Sequence, residues 1–183
     1  SNNANNIFNK DPFLYSKDYY YLNLKSNNKK NILLVVGASF KSKCYPHEKL
    51  VELIKSLDAN YFVIWGNENE NLIAKKMQSQ ITSLKILEKL SIAQLISVIG
   101  QMDLVIGPDT GPTHFAWGLN IPSITLFGPT PASRNCFTSN INKFIESDTT
   151  VNPYKINKKD FSIKDIKVDD IVRISDKLLN IKT

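Results

Sequence analysis

The sequence predicts an α/β fold in which a Rossmann-like, doubly wound parallel sheet carries helices on both faces. Short apolar runs, typical of strands buried on both faces, alternate with segments whose apolar residues fall at helical spacing. Strands separated by helices are expected to pair in parallel through right-handed crossovers. At 183 residues with 42% hydrophobic content, the chain is also long enough to bury one sizeable core.

The alternation begins at residue 31, where NILLVV is the first apolar run. The predicted strands are 31–36, 61–65, 84–87, 103–106 and 124–127, and the predicted helices are 47–57, 69–80, 91–102, 112–119 and 168–181. We therefore expect one Rossmann-like domain over residues 31–183. Residues 1–30, rich in asparagine and aromatic side chains, are expected to form a linker or interdomain segment.

Charge and cysteine content narrow the range of functions. The formal charge is +6, but the 23 basic residues include only two arginines, Arg134 and Arg173. Nucleic-acid readers favour arginine, and no basic stripe with interleaved aromatic residues is present, so no nucleic-acid partner is expected. Cys44 and Cys136 are too few for a disulfide framework or a metal site. Without an apolar run of roughly 18 residues, the protein is expected in the cytoplasm.

The loops that follow strands hold the candidate site, because ligands of open α/β sheets lie beyond the carboxyl ends of the strands. The first loop, GASFKSKCYP, offers the hydroxyl of Ser39 and the cations Lys41 and Lys43. Its spacing is not that of a phosphate-binding P-loop. A lysine in such a loop is more often a surface cation than a functional group, so removing Lys43 is expected to change stability little.

The second loop, WGNENE, places Glu68 and Glu70 near the start of the next helix. Acidic residues there complement the helix dipole, which is a purely structural interpretation. The functional alternative is a carboxylate that accepts hydrogen bonds from sugar hydroxyls of a ligand. The residues of this loop do not decide between the two.

The third loop, GPDTGPTHF, puts Asp109 directly after a buried strand. Thr110 or Gly111 can cap the coming helix, and Pro112 suits its first turn. Gly111 would let a ligand approach the backbone, and the helix amides would bind an anion such as a diphosphate. Asp109 is expected to cap backbone amides or to accept from a sugar hydroxyl. His114 lies in the first helical turn, where the dipole favours a neutral imidazole.

The next strand ends in a similar stretch, FGPTPASRN, with Thr130, Ser133 and Arg134 near the same edge. Two adjacent Gly-Pro turns at neighbouring strand ends either form the wall of a pocket or are merely tight turns. Both interpretations remain open at this point.

These motifs together resemble a known family. The order G-A-S-x-K-x-K-x-x-P, W-G-x-x-x-E, D-T-G-x-x-H and L-F-G-P-T-x-P is similar to the C-terminal, nucleotide-sugar-binding half of the lipopolysaccharide heptosyltransferases. These are two-domain GT-B glycosyltransferases that use ADP-heptose. The resemblance covers residues 31–135, and the lysine spacing before the proline is closest to heptosyltransferase I, which adds the first heptose to Kdo of the inner core.

The resemblance assigns donor-binding roles to residues of all three loops. In the family, the first loop contacts the diphosphate, the second-loop carboxylate contacts the donor, and the third loop contacts phosphate and heptose. The matching residues here are Ser39, Lys43, Glu70, Asp109, Thr110, Gly111, Thr113 and His114. The sequence departs from the pattern at Ala38, at Pro112, and at 135–137, where asparagine, cysteine and phenylalanine replace a glycine-rich continuation.

The resemblance also implies a mechanism. It is a metal-independent, inverting transfer of heptose that needs no cofactor, with Lys43 and the helix N-terminus stabilising the departing ADP. The general base lies in the N-terminal half of the family's enzymes, so no catalytic residue is identified. The implied acceptor is Kdo-lipid A, reached at the cytoplasmic face of the inner membrane. The alternatives are a non-catalytic nucleotide-binding module and another GT-B enzyme such as a sugar-nucleotide epimerase.

Overall fold

The computed structural model describes residues 28–180, so nearly all of the predicted linker at 1–30 lies outside the described residues. The strands are β1 (Asn31–Val35), β2 (Asn60–Ile64), β3 (Lys85–Ile86), β4 (Leu104–Pro108), β5 (Ser123–Phe127) and β6 (Asn142–Glu146). The α-helices are α1 (His47–Ser56), α2 (Glu68–Gln78), α3 (Ile92–Ile99), α4 (Gly111–Gly118), α5 (Ala132–Asn135) and α6 (Val168–Leu179). Two 3-10 turns cover Lys41–Lys43 and Ser162–Asp165.

The six strands form one parallel sheet in the order β3-β2-β1-β4-β5-β6. β1 lies in the middle, where Ile32 pairs with Tyr61 of β2 on one side and with Leu104 of β4 on the other. The chain therefore builds the sheet outward from β1 in one direction and then from β4 in the other. The carboxyl ends of β1 and β4 mark the point where the strand order reverses, which is where open α/β sheets bind ligands.

Successive residues of β1 point to opposite faces of the sheet, and each face packs on its own helices. Ile32 and Leu34 join the cluster formed with α1, α2 and α6, whereas Leu33 and Val35 join the cluster formed with α3 and α4. All four are at most 5% exposed. Burying such a side chain contributes about 1.5–3 kcal/mol to folding stability. A sheet covered by helices on both faces therefore needs strands that are apolar on both faces.

The predicted parallel α/β sheet and its five strands are confirmed, and β6 is an addition. β6 was missed because its sequence, NKFIE, mixes polar and apolar residues and lies at the edge of the sheet, where Phe144 and Glu146 are exposed. The helix predicted at 91–102 is shorter, and a capping box at Ser91 and Gln94 fixes where it begins. None of the helices within residues 28–180 has the length and apolar character to cross a membrane.

Candidate functional site

Two adjoining depressions lie at the carboxyl edge of the sheet. The polar cavity, of about 610 Å³, is lined chiefly by Ser39, Lys43, Asp109, His114, Arg134 and Asn135. The apolar crevice, of about 260 Å³, is lined chiefly by Val35, Ile64, Trp65, Leu90, Leu95 and Pro112. Thr110 belongs to both. The structure therefore brings the first and third predicted loops together around one cavity and places the second loop beside it.

Asp109 is the centre of the polar cavity. It follows β4 directly, is only 3% exposed, and receives three side-chain hydrogen bonds of 3.0 Å. The Lys43 ammonium and the Asn135 amide donate to Oδ2, and His114 Nε2 contacts Oδ1. Burial alone would raise the pKa of Asp109, but these hydrogen bonds and the Lys43 charge hold it well below its usual range. Asp109 is thus an ionised acceptor for side chains, and the prediction that it caps backbone amides is wrong.

Lys43 lies at the end of the 3-10 turn that follows β1. Its side chain is 10% exposed, and its ammonium lies 5.5 Å from the centroid of the Phe40 ring as well as 3.0 Å from Asp109. The expectation of a surface cation therefore fits the exposed Lys41 and is wrong for Lys43. A buried ion pair is favourable only when further hydrogen bonds satisfy it, and here Asn135 and His114 provide them.

The start of α4 is held by Thr113. Its hydroxyl accepts a hydrogen bond from the Thr110 N–H and lies 2.7 Å from the Thr110 carbonyl oxygen and 3.0 Å from that of Pro108. Thr110, one of the two predicted caps, is the N-cap; the helix begins at Gly111, one residue before the predicted start, and Pro112 lies in its first turn as expected. Thr113 is fully buried in this turn, so the structure places it beneath the cavity rather than in its lining.

His114 is held between Asp109 and an aromatic ring. Its imidazole stacks on Trp117 with a centroid separation of 4.3 Å and an interplanar angle of 24°, and its side chain is 44% exposed. Because an ionised carboxylate can only accept, Nε2 carries a hydrogen in this arrangement. In a neutral ring Nδ1 is then an acceptor, suited to a hydroxyl donor.

Glu70 stabilises the start of α2. Its carboxylate accepts from the Gly66 N–H at 2.7 Å and from the Asn67 amide at 2.6 Å, while Asn67 Oδ1 accepts from the Glu70 N–H. A Cβ at Gly37 would lie 2.1 Å from the Glu70 carboxyl carbon, so only glycine leaves room for this arrangement. These contacts support the structural interpretation, in which Glu70 stabilises the helix start, and Glu70 also lies at the edge of the apolar crevice.

The apolar crevice is a slot lined mostly by hydrophobic side chains. Trp65 forms one side, and its indole N–H donates to the Leu87 carbonyl at 2.7 Å, which fixes the ring. Leu90, Leu95 and Pro112 also line the slot. Small-molecule sites typically combine such an apolar surface with a few well-placed polar groups, which the neighbouring cavity supplies.

Sequence reasoning missed two residues of the polar cavity. Asn135, in the short helix α5, was noted only as a departure from the family pattern, yet it donates to Asp109. Trp117 supports the His114 ring one helical turn further on. The available signal for Asn135 was its place after β5, which pairs with β4 and therefore ends beside Asp109. The segments that follow β4 and β5 thus both line the polar cavity, but the Gly-Pro pairs themselves are not among its lining residues.

The reversal of strand order, with a polar cavity and an apolar crevice at that point, defines a Rossmann-like ligand-binding domain. Comparison with known proteins makes the class more specific. Residues 8–162 match the profile of glycosyltransferase family 9 (heptosyltransferase), and the chain belongs to this family. Membership favours the transferase interpretation over the epimerase and the non-catalytic module.

Individual relatives agree with this assignment. Lipopolysaccharide heptosyltransferase 1 of Campylobacter coli is 41% identical over 159 residues, covering 81% of this chain and 46% of the relative. A family 9 glycosyltransferase from Veillonella parvula has a TM-score of 0.73 at 16% identity, covering 93% of this chain and 52% of its own. An E. coli heptosyltransferase with ADP-2-deoxy-2-fluoro heptose has a TM-score of 0.66 at 19% identity, and the match covers 85% of this chain and 45% of the E. coli chain. The chain therefore spans about half the length of the relatives it matches.

Proposed function

We propose that this chain is the donor-binding half of a lipopolysaccharide heptosyltransferase that transfers L-glycero-D-manno-heptose from ADP-heptose to Kdo of the inner core. Family membership and the 41% identical heptosyltransferase 1 support the class of reaction. The observation that carries the proposal is the network of Lys43, Asp109 and His114 in a cavity that adjoins an apolar slot. One ligand with a flat base, a diphosphate and a polyhydroxylated sugar fits both depressions.

The two depressions suggest how the donor lies. The adenine ring occupies the apolar crevice, where Trp65 and Pro112 offer flat apolar surfaces. The diphosphate lies at the N-terminus of α4, where the Gly111 N–H and the helix dipole favour an anion. Gly111 assists because no atom lies within 4 Å of where its Cβ would be. The heptose hydroxyls are then placed at His114, whose Nδ1 accepts from a hydroxyl.

The chemical step that this half supports is departure of ADP. The Gly111 N–H, the dipole of α4 and nearby cations stabilise the negative charge that develops on the leaving diphosphate, a type of electrostatic stabilisation that often dominates catalysis. No divalent metal is needed for this. A general base must still remove the proton of the acceptor hydroxyl. We place that base, and the Kdo-lipid A acceptor, in the N-terminal half that the resemblance implies, at the cytoplasmic face of the inner membrane.

Calorimetric titration with ADP, ADP-heptose and UDP, each with magnesium or with a chelator, tests donor binding. We expect ADP and ADP-heptose to bind without metal and more tightly than UDP. Strict dependence on magnesium, or preference for UDP, would contradict the proposal.

A second assay tests whether this chain binds the donor but needs the N-terminal half for sugar transfer. The chain is mixed with ADP-heptose and a Kdo-containing lipid A acceptor, and ADP release and heptosylated product are measured. We expect binding without turnover, because loss of a general base alone costs at least about 10²-fold in rate. Turnover comparable with a two-domain enzyme would show that these 183 residues contain a complete active site.

A further inference from the structure

The Lys43–Asp109 pair gives the polar cavity little net positive charge of its own for the ligand proposed above. The family resemblance assigns one cation, Lys43, to the donor diphosphate, but the structure pairs its ammonium with the ionised Asp109 at 3.0 Å. The two charges cancel in the field that an approaching anion experiences. Glu70 at the edge of the neighbouring crevice adds a negative charge. Further cations that no carboxylate neutralises would strengthen the binding of a diphosphate at this cavity.

Arg134 is one such cation. It is exposed on α5 and lines the polar cavity together with Lys43 and Asp109. Its Nε donates to the Asn135 side-chain oxygen at 3.3 Å, and its Nη1 donates to the Pro153 carbonyl at 2.6 Å. Both acceptors are neutral. The guanidinium therefore keeps its full charge beside the cavity, with N–H groups left to donate.

Lys158 is the other. It belongs to the loop between β6 and the second 3-10 turn, and its ammonium lies 5.7 Å from the centroid of the same Phe40 ring that Lys43 approaches. An aromatic face attracts a cation without neutralising it. Lys158 does not line the cavity itself, but it shares the Phe40 ring with Lys43, which does, so its flexible side chain lies near the rim of the cavity.

The two cations are mechanically linked. The hydrogen bond from Arg134 to the Pro153 carbonyl ties the loop that carries Lys158 to α5. None of the ion pairs formed within residues 28–180 involves Arg134 or Lys158. Helix α5 and this loop therefore present two cations beside the polar cavity that have no carboxylate partner within residues 28–180.

We propose that Arg134 and Lys158 form a second cationic pair that binds the diphosphate of a nucleoside diphosphate sugar at the polar cavity. The identity of the ligand rests on the proposed function, whereas the argument for cations besides Lys43 rests on the Lys43–Asp109 pair. Arg134 can offer two parallel N–H groups to a phosphate, and Lys158 a flexible point charge. Lys43 is then chiefly a preorganised hydrogen-bond donor fixed by Asp109.

Calorimetry with ADP and with inorganic pyrophosphate tests the pair in the full chain at low ionic strength. We expect Arg134→Ala and Lys158→Ala each to weaken binding of both probes by about tenfold, with the loss shrinking as salt is raised. Arg134→Gln keeps a donor for Pro153 but removes the charge, so it should behave like the alanine variant. Lys159→Ala in the same loop and Lys76→Ala on α2 remove a charge elsewhere and should stay within about twofold of the wild type.

The outcomes separate this inference from the proposed function. If the wild type binds ADP while Arg134→Gln and Lys158→Ala bind it as tightly as the two control variants do, the cationic pair is disproved and the donor proposal stands. If these variants lose pyrophosphate while the wild type binds UDP better than ADP, the pair stands and the proposed donor is wrong. A wild type that binds neither ADP nor pyrophosphate would overturn both.

Discussion

The polar cavity and the apolar crevice meet at Thr110 but are built in different ways. In the polar cavity, charged side chains from the loops after β1 and β4 are already hydrogen-bonded to one another. In the crevice, aliphatic and aromatic side chains provide the surface, and the polar groups around it stabilise their own loop or helix. Substitutions of the networked side chains in the polar cavity should therefore change both ligand binding and the stability of the fold. In the crevice the two effects are largely separable.

The difference follows from where each depression lies on the sheet. β1 and β4 are neighbours, so the ion pair of Lys43 and Asp109 closes two loops that are 66 residues apart in the chain. Glu70 instead bonds to groups within four residues of itself. A long-range buried pair influences global stability, whereas a local cap influences one helix end.

The largest effect is expected for Asp109→Asn. The change leaves the Lys43 ammonium buried without its counter-ion, and breaking one side of a buried pair costs about 3 kcal/mol or more of unfolding free energy. Chemical denaturation of both proteins measures this. Asp148→Asn, in an exposed loop, is the matched control and should change stability by less than about 0.5 kcal/mol. Equal stabilities for the two variants would show that the pair is not a structural link.

The difference in stability between the wild type and Asp109→Asn should depend on pH. The pKa of Asp109 is lowered in the folded chain, so its stabilising contribution is fully present above the unfolded value of about 4. The contribution is lost as the pH falls through the lower folded value. We expect the stability difference between the wild type and Asp109→Asn to be constant near neutral pH and to shrink in acid. A difference that grows with acidity would contradict the assignment.

Lys43→Ala should affect binding and stability together. Loss of a charge-assisted contact to the ligand costs about 1.5–3 kcal/mol of ADP binding. Because the lysine is buried against Asp109, the variant should also lose about 1–3 kcal/mol of stability, contrary to the expectation for a surface cation. Calorimetry and denaturation measure the two quantities. Lys41→Ala, exposed in the same turn, should change neither, and equal ADP binding by both variants would remove Lys43 from the site.

The fold was predictable because the patterns that indicate its strands and helices each lie within a short stretch of sequence. Central strands such as β1 and β4 are apolar on both faces, and that pattern is visible in a few consecutive residues. β6 was not predicted because an edge strand is only half buried and its residues alternate irregularly. Asn142 at its start is buried and accepts from Ser123 of β5, a contact between strands that the sequence does not reveal.

The candidate site was predictable as a set of loops but not as a network. The motifs located Lys43, Asp109 and His114, yet they did not show that Lys43 is buried against Asp109. That pairing depends on β1 and β4 being neighbours, which is a property of the sheet order. Asn135 was missed for the same reason, since its partner lies 26 residues away on the neighbouring strand end.

A smaller effect is expected in the crevice for Gly37→Ala. The new Cβ would lie 2.1–2.5 Å from the Glu70 carboxylate, which is the end of a flexible side chain and can move away. The bonds from Gly66 and Asn67 would then be lost, at a cost of about 1 kcal/mol, typical of a helix cap. Denaturation of this variant and of Glu70→Ala should give similar losses. A loss above about 3 kcal/mol would mean that the backbone itself is displaced.

The smallest effect on stability is expected for Gly111→Ala. Gly111 lines the polar cavity but takes no part in its network of side-chain hydrogen bonds, so at this one position of the cavity binding and stability should separate. Gly111 is exposed at the start of α4, and no atom lies within 4 Å of the added Cβ, so nothing in the folded chain opposes the methyl group. Restricting the unfolded chain should stabilise the variant by about 0.4–1 kcal/mol. A diphosphate that lies against this backbone would meet the methyl group, and ADP binding should weaken about tenfold, or about 1.4 kcal/mol. Gly100→Ala, at the C-terminus of α3 and in ordinary contact with Ser97, is the matched control and should gain similar stability without affecting ADP. If Gly111→Ala binds ADP as tightly as Gly100→Ala does, the phosphates do not lie at the N-terminus of α4.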